Sequence, residues 1–223
     1  AVDWQHSSEN GTLTYSTFIN NTAWRSGGAV YWYGHNGTVE YCNFTDNVAI
    51  GNKSKHDNEN VATYTTEGGN GGAIIWTGSL GDVNYCNFTR NTAGKLGGAV
   101  YLQQNSNVSF INSHFTSNVA GYNGGAIQFN TGATNGTITN CTFDSNVANR
   151  SAGAIFWIGS HGNISNSNFT NNHALGGVMG SVDHNGTATT GGSGGAMIWA
   201  GSNGDIRNCR FIDNTAAKRG GAL

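Results

Sequence analysis

The chain has 223 residues, 35 of them glycine and none proline; 10% are charged and the net charge is −2. So small a charge leaves no electrostatic footprint for nucleic acid or an anionic membrane surface, and no apolar run reaches the ~20 residues of a membrane-spanning helix. Aromatic and β-branched residues are plentiful, which excludes a disordered chain, and four cysteines do not make a disulfide scaffold at this length.

Read from the start, "AVDWQHSSENGTL" aligns with "AVYWYGHNGTV" at Ala29 to Val39, so Ala1-Val2 opens a repeat unit. The first residue is not Met and no signal segment is present, which reads as a mature product or an excised segment. The word FxxNxA then occurs seven times, with Phe18, Phe44, Phe88, Phe115, Phe143, Phe169 and Phe211. Its asparagines are Asn21, Asn47, Asn91, Asn118, Asn146, Asn172 and Asn214. Each word leads to Gly-Gly-Ala, whose alanines are Ala29, Ala73, Ala99, Ala126, Ala154, Ala196 and Ala222. Ser151-Ala152-Gly153-Ala154 departs from the strict form. These alanines lie 44, 26, 27, 28, 42 and 26 residues apart. The unit is therefore 26–28 residues, and two units carry insertions, near 50–70 and 175–193.

An aliphatic residue always follows that alanine, and Trp32, Trp76, Leu102, Phe129, Trp157 and Trp199 stand two further on, on the same strand face. Five before each Phe stands another apolar residue, Leu13 and Val39 among them, and two before it a Ser or Cys. Each unit thus offers three short alternating strands and no helical period. One unit cannot bury these faces alone, but units stacked at the ~4.8 Å strand spacing can. The expected fold is all-β: one single-stranded parallel β-helix (β-solenoid) over residues 1–223, with about seven coils and a length of about 34 Å. In this reading the Phe column fills the core. The Asn column sits at a bend where amides bond to each other and to backbone. The Gly pair permits positive φ or close approach.

Candidate sites follow from parity and composition. Tyr31, Ile75, Tyr101, Phe156 and Ile198, with Tyr33 and Ile158 beside them, should point outward as an apolar stripe. A neighbouring molecule, a flanking domain or a ligand would cover it, or the side chains stack on one another. Sequons exceed the number composition would give by about twofold. Candidate glycan acceptors are Asn10, Asn36, Asn43, Asn87, Asn135, Asn163, Asn168 and Asn185, although "NGT" is also turn chemistry. Cys42 and Cys86 lie on adjacent coils, where small core filler competes with a strained disulfide. Asp46 and Arg90 share an outward column and suit a surface ion pair. His56-Asp57 and Asp183-His184 in the two insertions would suggest a metal if the loops fold toward each other, and the acids are too scattered for paired-carboxylate catalysis. We expect no enzyme, cofactor or metal.

The combination of GGA[ILV] with FxxN, repeated over the whole chain, resembles the repeat of the chlamydial polymorphic outer-membrane proteins and is similar to archaeal adhesin-like surface proteins. The resemblance implies a right-handed, secreted or surface-displayed β-helix used in adhesion or in the cell envelope. The translocator barrel that ends the chlamydial proteins has no counterpart in this sequence. The expected function is that of an extracellular, cell-surface structural protein. It would self-assemble into a fibre, sheath or adhesive stalk through open solenoid ends and the apolar flank. The alternative is a host- or glycan-binding adhesin that uses the two insertions; a polysaccharide lyase or hydrolase stands third. The partner is then the protein itself, or else glycans or a host surface, with no nucleic acid and no membrane insertion.

Overall fold

Short alternating runs rich in Val, Ile, Thr and aromatics favour strands, and here they wind into four parallel sheets of seven strands each. The structure is a computed structural model that describes residues 2–5, 8–56, 63–103, 106–177 and 191–223. The first sheet runs from Val2–Trp4 through Val30–Trp32 and Ile74–Trp76 to Met197–Trp199. The second runs from Thr12–Thr14 to Asp205–Arg207, and the third from Thr17–Ile19 to Arg210–Ile212. The first is called the tryptophan sheet and the third the phenylalanine sheet below. A fourth sheet, from Thr22–Ala23 to Thr215–Ala216, was not expected from the alternation. Its strands have two residues each, too few to show a period.

The parallel β-helix is as expected, and like stacks on like. Phe88 pairs in register with Phe44 on one side and Phe115 on the other. The rings of the seven phenylalanines stack at 4.7–4.9 Å between centroids. Phe44 to Phe169 are fully buried, each contributing about 1.5–3 kcal/mol of apolar burial.

The Asn column forms a buried amide ladder. Asn91 Nδ2 donates to Asn118 Oδ1 at 3.0 Å and to the Phe44 carbonyl at 2.9 Å, while its backbone N–H donates to the same Oδ1 at 3.0 Å. One side chain thereby ties three coils together. The pattern recurs from Asn21 to Asn214, so these buried amides are satisfied from coil to coil. The residue before each of them takes the left-handed corner, Asp46 and Arg90 included, at φ 55° and 52°.

The two glycines of Gly-Gly-Ala have different reasons. The first adopts positive φ, 64° at Gly97, and in the fifth coil Ala152 holds the same conformation at 61°. The second passes so close to the next coil that a Cβ on Gly98 would collide with the Gly125 carbonyl oxygen. Ala152 stands in the first place, and Gly keeps the second.

A further glycine pairs with tryptophan. A Cβ on Gly37 would strike the Trp32 ring, and one on Gly81 or Gly162 would strike Trp76 or Trp157. The fourth coil carries Leu102 instead of Trp, and there Val108 occupies the position in register with Gly81. The smaller residue at one place makes room for the larger at the other.

Serine and cysteine share one buried column and do the same work. Cys86 Sγ donates to the Asn84 carbonyl at 3.2 Å, and Ser113 Oγ donates to the Ile111 carbonyl at 3.0 Å and accepts the Cys86 N–H at 3.1 Å. All four cysteines are free thiols, and burial pushes the Cys141 thiol up to about 12.

The first insertion was expected as a loop. It contains two antiparallel strands, Asn52–His56 and Thr63–Glu67, with Tyr64 opposite Lys55. Residues 178–190 of the second insertion lie outside the described residues.

Candidate functional site: a groove on the tryptophan sheet

The outward parity of the tryptophan sheet presents Asp3, Tyr31, Ile75, Tyr101, Gln128, Phe156 and Ile198, in register from coil to coil. A second outward column begins with Gln5 and Tyr33 and continues through Thr77, Gln103, Asn130 and Ile158. Its backbone N–H groups bond to the preceding coil, as Gln103 does to the Trp76 carbonyl at 2.9 Å.

The stripe is not the open apolar flank that parity suggested. Ile75 is 5% exposed, Tyr101 6% and Gln128 2%, whereas Tyr31, Tyr33, Phe156, Ile158 and Ile198 are half-buried. Ile75 stands between Tyr31 and Tyr101 and against the Gly27 corner, where a Cβ would meet its Cγ2. Tyr101 is anchored by a 2.8 Å bond from Asn130 Nδ2, and burial raises its phenol above the ordinary range. Stacking between neighbouring coils therefore covers the middle of the stripe.

Over the first four coils the two columns form one side of a groove of about 580 Å³, within the range of small-ligand sites. Tyr31, Ile75 and Tyr101 make the floor; Gln5, Tyr33 and Gln103 make one wall. The opposite wall is the corner that enters the sheet, with Arg25, Ser26, Gly68 and Asn70. Gly68 and Asn70 follow directly on the second strand of the insertion hairpin. The Asn70 backbone N–H bonds to Ser26 Oγ at 3.3 Å, while its side-chain Oδ1 is buried without a donor. Asp3 is exposed at one end of the floor.

Sequence reasoning singled out Tyr31, Tyr33, Ile75 and Tyr101, and the structure brings these four together. It does not join them to Phe156, Ile158 and Ile198, which lie further along the sheet. Asp3, Gln5, Gln103 and Asn70 were missed. The first three share parity with the tyrosines, a signal visible in the alignment of the first unit with the second. Asn70 could not be found that way, because it sits on the far wall.

A second aromatic array also escaped notice. Tyr15, Tyr41 and Tyr85 stack at 4.9 and 5.0 Å on the surface, all at positive φ, while Asn112, Asn140, Asn166 and Asn208 fill the same corner in later coils. Asparagine tolerates that conformation and tyrosine does so at a cost.

The remaining candidates separate by location. Asn43, Asn87 and Asn168 are exposed on the outer face of the phenylalanine sheet, and Asn87 Nδ2 donates to Asn43 Oδ1 at 2.9 Å. Asn10, Asn36 and Asn135 are exposed left-handed corners at φ 55°, 52° and 54°, each followed by the glycine that faces an aromatic ring. The left-handed turn also calls for Asn-Gly at those three places. Asn163 is half-buried, and Asn185 lies outside the described residues. Arg90 grips Asp46 through Nη2 at 2.7 Å and Nε at 2.8 Å, which holds the Asp46 carboxyl below the usual carboxylate range. Among the described residues no group of three or more His, Cys, Asp and Glu is close enough to hold a metal ion. Asp57, Asp183 and His184 lie outside them.

Residues 85–103 match the Chlamydia polymorphic membrane protein (Chlamydia_PMP) repeat. The matched stretch is one FxxN and one GGAV with the turn between them, Phe88 to Val100. No curated protein and no solved structure matches the chain.

Proposed function

We propose that the chain is a non-enzymatic, extracellular structural protein of the cell surface, a stiff solenoid that associates with its own kind and presents a recognition groove on one flank. The observation that carries the structural role is the unbroken register of four parallel sheets across seven coils. Backbone ladders, stacked rings and the buried amide column all resist bending of the rod. The repeat matched at residues 85–103 supports a surface setting, since it is a repeat of membrane proteins.

Self-association uses the part of the tryptophan sheet beyond the groove. Phe156, Ile158 and Ile198 are half-buried apolar residues on adjacent coils, suited to packing against a second copy. Sedimentation velocity across a concentration series tests this. The wild type should associate, and Ile158→Lys with Ile198→Lys should sediment as a single rod. A wild type that stays monomeric at its highest soluble concentration would remove self-association from the proposal. Antibody labelling of intact source cells tests the surface setting separately. The groove favours a second reading, an adhesin in which the solenoid carries a ligand site to its target.

A further inference from the structure

We infer that the groove over the first four coils binds a linear, uncharged oligosaccharide of about three sugar units, laid along the rod axis. This inference rests on the recognition role proposed above and names its ligand class.

The geometry points to a chain-like ligand. Successive coils advance by about 4.8 Å, so a floor built from four of them spans about 14 Å. One step is comparable with the length of one pyranose in a linear glycan. The floor therefore presents one outward side chain per step, Asp3, Tyr31, Ile75 and Tyr101 in the first column, with Gln5, Tyr33 and Gln103 beside them.

The chemistry of these side chains fits sugars. Pyranose rings present an apolar C–H face, which packs on aromatic surface, and a rim of hydroxyls that both donate and accept. The half-buried Tyr31 and Tyr33 supply the surface together with a polar edge. Planar amides supply a donor and an acceptor from one group, as vicinal hydroxyls require. Asn70 adds a further side-chain amide on the opposite wall. Asp3 and Arg25 give the lining one charge of each sign, so it has no net attraction for a polyanion. The groove is also preorganised. Tyr101 is fixed by Asn130 and Ile75 by the Gly27 corner, so little ordering is left for the bound state.

The test is a printed array of neutral and acidic oligosaccharides, followed by titration calorimetry with cellotriose, chitotriose and the best neutral binder. Three variants are compared with the wild type: Gln103→Ala, Tyr31→Ala and Tyr15→Ala. Gln103 and Tyr15 are exposed, so their truncation leaves the core intact, and thermal melting checks Tyr31→Ala. We expect binding to neutral trisaccharides, weakened at least tenfold by Gln103→Ala and by Tyr31→Ala, and unchanged by Tyr15→Ala. Silence on every neutral sugar overturns the inference. So does a preference for sulfated or uronic-acid glycans, or full affinity in both groove variants. If the array is silent while intact cells are labelled and the protein captures a peptide or protein receptor through Tyr31, the recognition role stands and only the sugar is wrong. If the groove variants alter no binding of any kind, the recognition role fails as well.

Discussion

Along the phenylalanine side of the rod, seven Phe and seven Asn repeat without substitution. Along the tryptophan side the fourth coil exchanges Trp for Leu102, the fifth carries Phe129, and Val108 replaces a glycine. The two sides bury their residues equally well, so burial is not what separates them. The asparagine side chain is bonded to backbone of the coil before it and to the asparagine of the coil after it, and no other side chain offers the same donor and acceptor at that reach. The tryptophan is held by volume and by ring stacking, at 4.7 Å between Trp32 and Trp76. Volume can be redistributed between neighbours, whereas a hydrogen bond to a carbonyl cannot. The asparagine column, tied to backbone, is therefore fixed, and the tryptophan column, tied to packing, drifts in compensated pairs.

That contrast breaks most severely at the second glycine of Gly-Gly-Ala. Gly98→Ala drives a methyl group into the Gly125 carbonyl and should cost about 4 kcal/mol or more, read as loss of a cooperative melting transition. Asn118→Ala comes next. It strands the Asn91 amide, the Asn91 N–H and the Phe88 carbonyl, and should cost about 3 kcal/mol in urea unfolding. On the packing side, Gly81→Val alone should destabilise strongly because it meets Trp76. Adding Trp76→Leu should recover part of the loss, with a coupling of about 2 kcal/mol in the double-mutant cycle. Additive costs would mean that the Leu102 and Val108 exchange is unrelated.

Smaller effects sharpen the same distinction. Ala152→Gly relieves a left-handed alanine and should raise stability by up to about 1 kcal/mol. Smallest is Asp46→Asn at the exposed Arg90 pair, detectable in low salt and absent in high salt. Because Arg90 depresses the Asp46 carboxyl, its contribution is complete above the ordinary aspartate value. It disappears as pH falls through the lowered folded value. A melting series from neutral to acid pH in the wild type and in Asp46→Asn should converge at the acid end.

The fixed columns were legible in the sequence because the same requirement, of backbone for Asn and Gly and of ring stacking for Phe, recurs at every coil. Phe44, Asn47 and Gly72 recur in every unit of 26–28 residues, the two insertions apart, and that recurrence yields the winding. The compensated columns were half legible: Leu102 stood out among tryptophans, but its partner Val108 is informative only once Gly81 is known to face a ring. The fourth strand left no trace, since two residues such as Val48–Ala49 cannot alternate. The groove was least legible. Its floor follows strand parity, but Asn70 stands on the opposite wall, at the corner that ends the first insertion, and only the closed coil brings that corner beside Tyr31. The outward stripe was read as open because parity reports direction and not cover; Tyr31 and Tyr101 flank Ile75 on adjacent coils.

The amide ladder has one more consequence. Every Asn Oδ1 from Asn47 to Asn214 accepts from the coil before it, so the six carbonyl dipoles point the same way. Aligned dipoles add, and bonds in such a chain polarise one another. The molecule is therefore a vector and not merely a cylinder.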